Sequence, residues 1–314
     1  MNRVGSKMQN DESQPSVTEI NAGLSLSYPF DWTGIEDFSE YKFTPDGLPL
    51  VYLGKTLGWR FYPITVAQWG LNRLQHYAAT KAQSALEQAL AAARWLAANA
   101  KPWGSAGLAW VHDWPLAFYG TPAPWISAMA QGEAISLLLR AHLLTGNDDY
   151  LRVATGAFET FLSGSVCARY PDGSLSLEEY PANPPAHVLN GAVFASLGLL
   201  DYAIHLQDTS ALRLWEAAVD GIARNLHRYD TGFWTRYDLF PVVRLASPSY
   251  HEIHIRQMRL LYELTSERAF LHREEKWLKY QRSLRSELLW IAAKSAEKAR
   301  LGVRDLFRQL RGQR

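Results

Sequence analysis

From residue 63 onward, apolar residues recur at helical spacing, and they do so as a repeat. Four apolar segments resemble one another, beginning at Pro63, Pro124, Pro185 and Pro248, with spacings of 61, 61 and 63 residues. Each reads as a helix start, because proline is favoured in the first turn, where its missing N–H costs nothing. A second amphipathic helix follows each one. Leu86, Leu90, Ala93 and Ala97 share the face of the first, and the others fall near 147–163, 209–227 and 267–280. Helical hairpins repeating near 60 residues predict a mainly α fold: an incomplete (α/α) toroid, with first helices lining the centre from one common rim. Four hairpins would leave the ring open as a groove for a long polymer. The inner helices are apolar nearly all round, as doubly buried helices are. Against them Gln68, Gln131, Asn190 and His254 stand out, either as a buried hydrogen-bond network or as the lining of a polar cleft.

The flanks differ in texture. Residues 1–20 are polar and read as disordered. Residues 21–62 carry Pro45-Asp46-Gly47, a turn signal between aromatic and aliphatic runs, and predict a short β-hairpin or small sheet. The toroid then occupies 63–280, and 281–314 form an extra C-terminal helix. Formal net charge is only +1, yet residues 268–314 hold 13 lysines and arginines against 5 acids. With Leu284, Leu288, Ile291, Leu301 and Leu306 at helical spacing, this tail is a basic amphipathic helix. It is suited to packing on its own domain or a second copy, or to meeting a polyanion or an acidic membrane surface.

Composition narrows the classes. The 12 Trp and 15 Tyr suit stacking on sugar rings or an aromatic core. The single cysteine, Cys167, excludes an intrachain disulfide and reads as a packed thiol. No stretch has the roughly 18 uninterrupted apolar residues of a membrane span, and the N-terminus lacks the apolar stretch of a signal peptide. The chain therefore reads as cytoplasmic, with peripheral membrane contact open to the tail. There is no G-x-S-x-G, phosphate-binding loop, dinucleotide fingerprint or H-E-x-x-H. His251 and His254 share a helix face, but no third ligand is marked, so no metal is expected. No nucleic-acid-binding module is present either.

Ionisable and aromatic residues concentrate just ahead of the inner helices. Glu178, Glu179 and Tyr180 precede the third; Tyr229-Asp230-Thr231-Gly232, Tyr237-Asp238-Leu239, Arg244, Tyr250 and His251 surround the start of the fourth. Helices starting at one rim bring these groups together there, where helix N-termini favour an anion. A rim of Tyr, Glu, Arg and His fits an acidic sugar.

Glu178-Glu179-Tyr180-Pro181 with Leu189-Asn190-Gly191, Trp125 through Gly132, Leu143-Leu144-Thr145-Gly146-Asn147, Tyr229-Asp230-Thr231-Gly232, Tyr237-Asp238-Leu239, and Tyr250-His251 ahead of His254-Ile255 resemble the catalytic portion of heparosan and heparan sulfate D-glucuronyl C5-epimerases. Tyr62-Pro63-Ile64 with Gln68 and Gly70 also matches, and the similarity runs in order from about residue 46 to 280. The resemblance implies an (α/α) barrel, a homodimer, no required cofactor, and conversion of D-glucuronate to L-iduronate within a heparosan-like acidic polysaccharide. It implies Tyr180 with Glu179 on one face of the sugar, and Tyr237 and Tyr250 on the other. Arg244, His251 and His254 would neutralise the carboxylate, and Tyr62, Gln68, Trp125, Gln131 and Asn190 would line the groove. Nearby cations would lower the tyrosine pKa values; which group is base and which acid stays open. The family's Tyr-Asp-Leu-Arg reads Tyr237-Asp238-Leu239-Phe240 here, leaving Arg236 or Arg244 to replace the arginine. The β-rich N-terminal region is much shortened. A uronate lyase, a glycoside hydrolase using Glu179 and Asp238, and a non-catalytic glycan-binding protein are the alternatives.

Overall fold

The computed structural model describes residues 23–35, 38–105 and 107–311, with side chains through residue 300. The expected disordered stretch 1–20 lies outside the described residues. Among those described, nine α-helices follow one another: α1 (Pro63–Thr80), α2 (Gln83–Asn99), α3 (Ala128–Thr145), α4 (Asp148–Leu162), α5 (Leu189–Leu206), α6 (Thr209–Asn225), α7 (Pro248–Thr265), α8 (Arg268–Gln281) and α9 (Leu284–Arg311).

The first eight form four hairpins of one design. Each first helix has 18 residues and reaches its partner through a two-residue link. The first link residue is left-handed in every case: Lys81, Gly146, Gln207 and Ser266, with φ of 59°, 67°, 54° and 59°. Only Gly146 adopts that conformation without a side-chain penalty. The links between hairpins are long. Residues 100–127 hold a ribbon of β4 (Lys101–Trp103) and β5 (Gly107–Ala109), and 163–188 hold β6 (Cys167–Arg169) and β7 (Leu175–Leu177). Residues 226–247 are pinned by bridges Asp230–Thr235 and Arg236–Leu245. One rim thus has short turns, and the other has three elaborated connections.

Proline marks the helix starts in only two of the four repeats. Pro63 and Pro248 are first residues of α1 and α7, whereas Pro124 and Pro185 lie four residues ahead of α3 and α5. In those two the first amide is bound by the next connection: Ala128 N–H donates to Glu178 O (2.9 Å) and Leu189 N–H to Tyr237 O (3.3 Å). These donors serve the fold and not an anion, contrary to the expectation from the helix termini.

The inner helices α3 and α5 pack most closely, through glycines. A Cβ on Gly198 would lie 2.3 Å from Gly132 O, and one on Gly132 would lie 2.6 Å from Ala195 Cα. Both obstacles are backbone, so relief requires the helices to part. Gly198→Ala is expected to destabilise the protein by ~1–3 kcal/mol or more, read as a lowered Tm; an unchanged Tm would contradict this close approach.

The open side of the ring is filled by the chain itself. Residues 28–33 run between α1 and α7: Gln75 of α1 donates to Tyr28 O and Phe30 O (2.9 and 2.7 Å), and Arg256 of α7 to Asp31 O and Thr33 O (3.2 and 2.8 Å). Trp32 stacks on Phe194 of α5 at 4.9 Å, with Phe30 edge-on at 5.0 Å. The groove expected from an incomplete ring is therefore occupied along this gap. Next in sequence, β1 (Lys42–Phe43), β2 (Pro49–Tyr52) and β3 (Trp59–Arg60) form an antiparallel sheet with Lys42 opposite Leu50 and Tyr52 opposite Trp59. The Asp46-Gly47 turn joins its first two strands, with Gly47 at φ 74°.

The tail packs in a way the apolar stripe does not suggest. On α9, Ser286 and Glu297 are buried and Trp290 is half-buried, while Leu284, Leu288 and Ile291 are 71%, 59% and 48% exposed. One helix among the described residues, α5, is long and apolar enough to cross a membrane, and it is the buried centre of the hairpin array.

Candidate active site

The second connection delivers two adjacent glutamates to different tasks. Side chains alternate along an extended segment, so Glu178 and Glu179, following β7, point to opposite sides. Glu178 closes the loop on itself: Oε1 accepts from Ser176 Oγ (2.6 Å) and meets His187 Nδ1 (2.8 Å), and Oε2 accepts from Ala186 N–H (3.1 Å) and His187 N–H (3.0 Å). Glu179 instead lies against the first turn of α5. A Cβ on Gly191 would come 2.4 Å from Glu179 Oε2, so that glycine makes the room. Among the described residues Oε2 is buried with no hydrogen-bond partner. Burial pushes the Glu179 carboxyl up to about 7, against the lowering influence of a hydrogen bond from Tyr180 and the charge of Arg244. An ionised, incompletely satisfied carboxylate in a dry site is costly.

Tyr180 stands at the middle of the cluster. Its ring stacks on Tyr119 at 5.0 Å and meets the edge of Trp125 at 6.0 Å. Besides Glu179, its hydroxyl engages Tyr62 and Tyr237. Burial, then the Glu179 charge, raises the Tyr180 phenol well above its ordinary range, and the same two causes act on Tyr237. This reverses the expectation of cation-lowered tyrosines: they are held as neutral phenols. Tyr237 packs edge-on to Tyr250 at 4.9 Å, and Tyr250, in the first turn of α7, is 39% exposed.

The third connection supplies the cation. Arg244 reaches Asp238 Oδ2 through Nε (3.1 Å) and Nη2 (2.9 Å), and donates from Nη2 to Tyr119 Oη (2.6 Å), which itself donates to Asp238 Oδ2 (2.8 Å). The guanidinium lies 4.5 Å from the Tyr237 ring centre and 4.3 Å from that of Phe118. Arg236 turns away and donates to Phe240 O (3.0 Å). Arg244 is thus the arginine at the site, and Phe240 packs its ring on Tyr119 at 5.2 Å.

Two cavities meet at this cluster, with Tyr180, Ser247 and Tyr250 lining both. The inner one, about 280 Å³, is walled by Trp32, Tyr41, Tyr62, Gln68, Glu179 and Asn190 among others. The outer one, about 600 Å³, holds Phe118, Tyr119, Tyr237, Arg244 and Lys294.

Tyr180, Glu179, Tyr237, Tyr250, Arg244, Tyr62, Gln68 and Asn190 are therefore brought together. Four other candidates are not. Gln131 is spent on structure: its amide nitrogen donates to Leu108 O, Ala157 O and Thr160 Oγ1, and its oxygen accepts from Trp110 N–H. Trp125 stacks on His112 at 3.8 Å and donates to Trp114 O, supporting Tyr180 from behind. His251 and His254 are buried around Thr235 Oγ1, at 2.9 and 3.1 Å, and Trp234 covers His251. Burial lowers their pKa values to about 4 and about 3, so at neutral pH neither carries the charge that neutralising a carboxylate requires. Sequence reasoning missed Tyr119 and Trp32. Tyr119 had a signal, since Trp114 through Thr121 is an aromatic run in the connection ahead of α3, equivalent to the runs ahead of α5 and α7. Trp32 had none, because only folding brings its segment into the ring.

Four helical hairpins around a polar centre define a toroid-type helical fold, with its ionisable groups gathered at the rim of long connections. A solved structure described as D-mannose isomerase has the same kind of fold, with a TM-score of 0.50 at 12% identity over 86% of this chain and 70% of that one. The D-glucuronyl C5-epimerase C-terminus family model matches residues 108–279, more than half of the chain, and the protein belongs to that family. A D-glucuronyl C5-epimerase of Caenorhabditis elegans is 29% identical over 180 residues, 51% of this chain and 29% of that protein. An uncharacterized protein of Methanocaldococcus jannaschii is 28% identical over 177 residues, 54% of this chain and 57% of the relative. The chain thus matches under two thirds of either relative's length. Family membership supports an enzyme of the epimerase or isomerase kind.

Proposed function

We propose that this protein is a D-glucuronyl C5-epimerase, inverting C5 of D-glucuronate to give L-iduronate within a heparosan-like polysaccharide. The observation that carries this reading is a cluster of neutral tyrosines around a carboxyl group whose pKa is pushed to about 7, with the Arg244 guanidinium against the Tyr237 ring. Inversion at C5 requires removing the proton next to the carboxylate and returning one from the opposite face. A base works best with a pKa near the working pH, and Glu179 has it where the tyrosines do not. In this scheme the Tyr180 oxygen takes the C5 proton as its own phenolic proton passes to Glu179. Arg244, which lines the outer cavity, offsets the charge gathering on the substrate carboxylate. Tyr250 then gives its phenolic proton to C5 from the other face, with Tyr237 holding its ring. Being solvent-accessible, Tyr250 recovers a proton from water, and Glu179 returns its own to water.

The binding roles divide between the cavities. Tyr62, Gln68 and Asn190 meet the sugar on the inner side. The outer cavity leads the polymer away past Arg244. A homodimer belongs to the same proposal by family resemblance.

The test is incubation with non-sulfated heparosan in deuterated water, followed by NMR at C5. Deuterium incorporation with iduronate signals is the expected result. A 4,5-unsaturated product would replace epimerase by lyase, and chain shortening without unsaturation would indicate a hydrolase. No exchange on any uronate polymer would leave a binding protein. Asp238 gives the hydrolase little support, because it is fully buried beneath Arg244 and Tyr119.

A further inference from the structure

The outer cavity continues past the tyrosines to α9, and the chemistry above leaves that end unused. We infer that Lys294 binds an anionic group on the polymer beyond the reacting uronate, making the C-terminal helix one wall of the substrate groove. The inference rests on the reading of the site as an epimerase.

Lys294 lines the same cavity as Arg244, Tyr237 and Tyr250. Its position is fixed relative to theirs, because α9 is fastened to the loop that carries the arginine. Glu297 Oε2 accepts from Leu245 N–H (3.1 Å), and Trp290 Nε1 donates to Ala246 O (2.9 Å). These are the two residues after Arg244. The Lys294 ammonium donates to Glu297 Oε1 at 2.8 Å. An ammonium has three donors, and the Lys294 side chain is 26% exposed, so donors remain for a ligand while Glu297 holds their direction.

The same cavity is also lined by Pro115, Leu116 and Phe118, apolar side chains on which a sugar face can lie. At about 600 Å³ against about 280 Å³, the outer cavity has room for more than the reacting ring. A polymer with a uronate in every disaccharide presents its next carboxylate some distance from the first. Arg244 answers one charge, and Lys294 is the second cation in the cavity. Residue 294 lies beyond the 108–279 segment matched by the family. It also gives the basic tail a specific task for one of its charges.

The experiment compares wild type, Lys294→Ala and Lys294→Arg by C5 deuterium exchange on non-sulfated heparosan, on its N-sulfated form and on a tetrasaccharide. The expected result for Lys294→Ala is a KM raised roughly 5–10-fold on the polymer and raised less on the tetrasaccharide, with the arginine variant near wild type. The difference should shrink at high salt. An effect on the non-sulfated polymer identifies a carboxylate as the bound group; an effect confined to the N-sulfated polymer identifies the sulfate. Equal KM values for wild type and Lys294→Ala on both polymers would overturn the subsite while leaving the epimerase reading intact. Absence of wild-type exchange would instead remove the reading on which it rests. A lowered Tm together with an equal loss on polymer and tetrasaccharide would assign Lys294 a purely structural role and also overturn the inference.

Discussion

Replacing Tyr180 by phenylalanine is expected to slow C5 deuterium exchange by ~100- to 10,000-fold, the usual range for removing a positioned proton-transfer group. The substitution is narrow. The phenylalanine ring keeps the stack on Tyr119 at 5.0 Å and the edge contact with Trp125 at 6.0 Å, so the ring stays clamped and Tm should change little. What is lost is the oxygen that engages Glu179, Tyr62 and Tyr237. The loss should fall on kcat, since the hydroxyl acts in the proton transfer more than in holding the ground state. The Tyr180 hydrogen bond holds the Glu179 pKa down, so any residual activity should titrate at higher pH than in the wild type. Wild-type exchange by the phenylalanine variant would remove Tyr180 from the chemistry.

Glu179→Gln should separate activity from stability in opposite directions. The carboxyl titrates from an ordinary value of 4.5 up to about 7 in the folded protein. Between those values the folded state holds a proton that the unfolded chain has released, so stability falls as pH rises through this window. The total is on the order of 3 kcal/mol at pH 8, lost because the charged form is buried. Glutamine carries no charge, so the variant should be the more stable protein at pH 8, and the gain should disappear near pH 4. Exchange, in contrast, should drop by ~100-fold or more. In the wild type kcat/KM should decline below about pH 7, as the base becomes protonated, and the variant should lack that limb. Thermal unfolding at two pH values and a pH–rate profile check both halves. A glutamine variant less stable than wild type at pH 8 would show that Glu179 is not strained by its burial.

Much of this was legible because the hairpins repeat. The prolines gave the period even where they do not begin a helix: Pro124 and Pro185 sit four residues early, since the first amides of α3 and α5 are bound by the neighbouring connections and not left over. Local pattern cannot show that long-range pairing. The gathering of Glu179, Tyr180, Tyr237, Arg244 and Tyr250 followed from common rim placement, which periodicity does encode. The histidines were misplaced for a different reason. His251 immediately follows Tyr250 on α7, but a helix turns by about 100° per residue, so it faces Trp234 and Thr235 where Tyr250 faces the cavities. Gln131 and Gln68 hold similar places in their repeats and separate because the 100–127 connection and α4 offer Gln131 partners to bind. Glu178 and Glu179 differ in role through the alternation of an extended segment, which the sequence carries; which of the two faces inward depends on Gly191.

The segment at residues 28–33 works as the keystone of an arch. Four hairpins of one design leave α1 and α7 without each other as neighbours, and this segment joins them through Gln75 and Arg256 while placing Trp32 in the inner cavity. The residue that floors the binding space is therefore part of the piece that holds Tyr250's helix against Tyr62's. Ring closure and the spacing across the sugar are mechanically one property, so a cut or loosening ahead of α1 acts at the centre of the molecule and not at its edge.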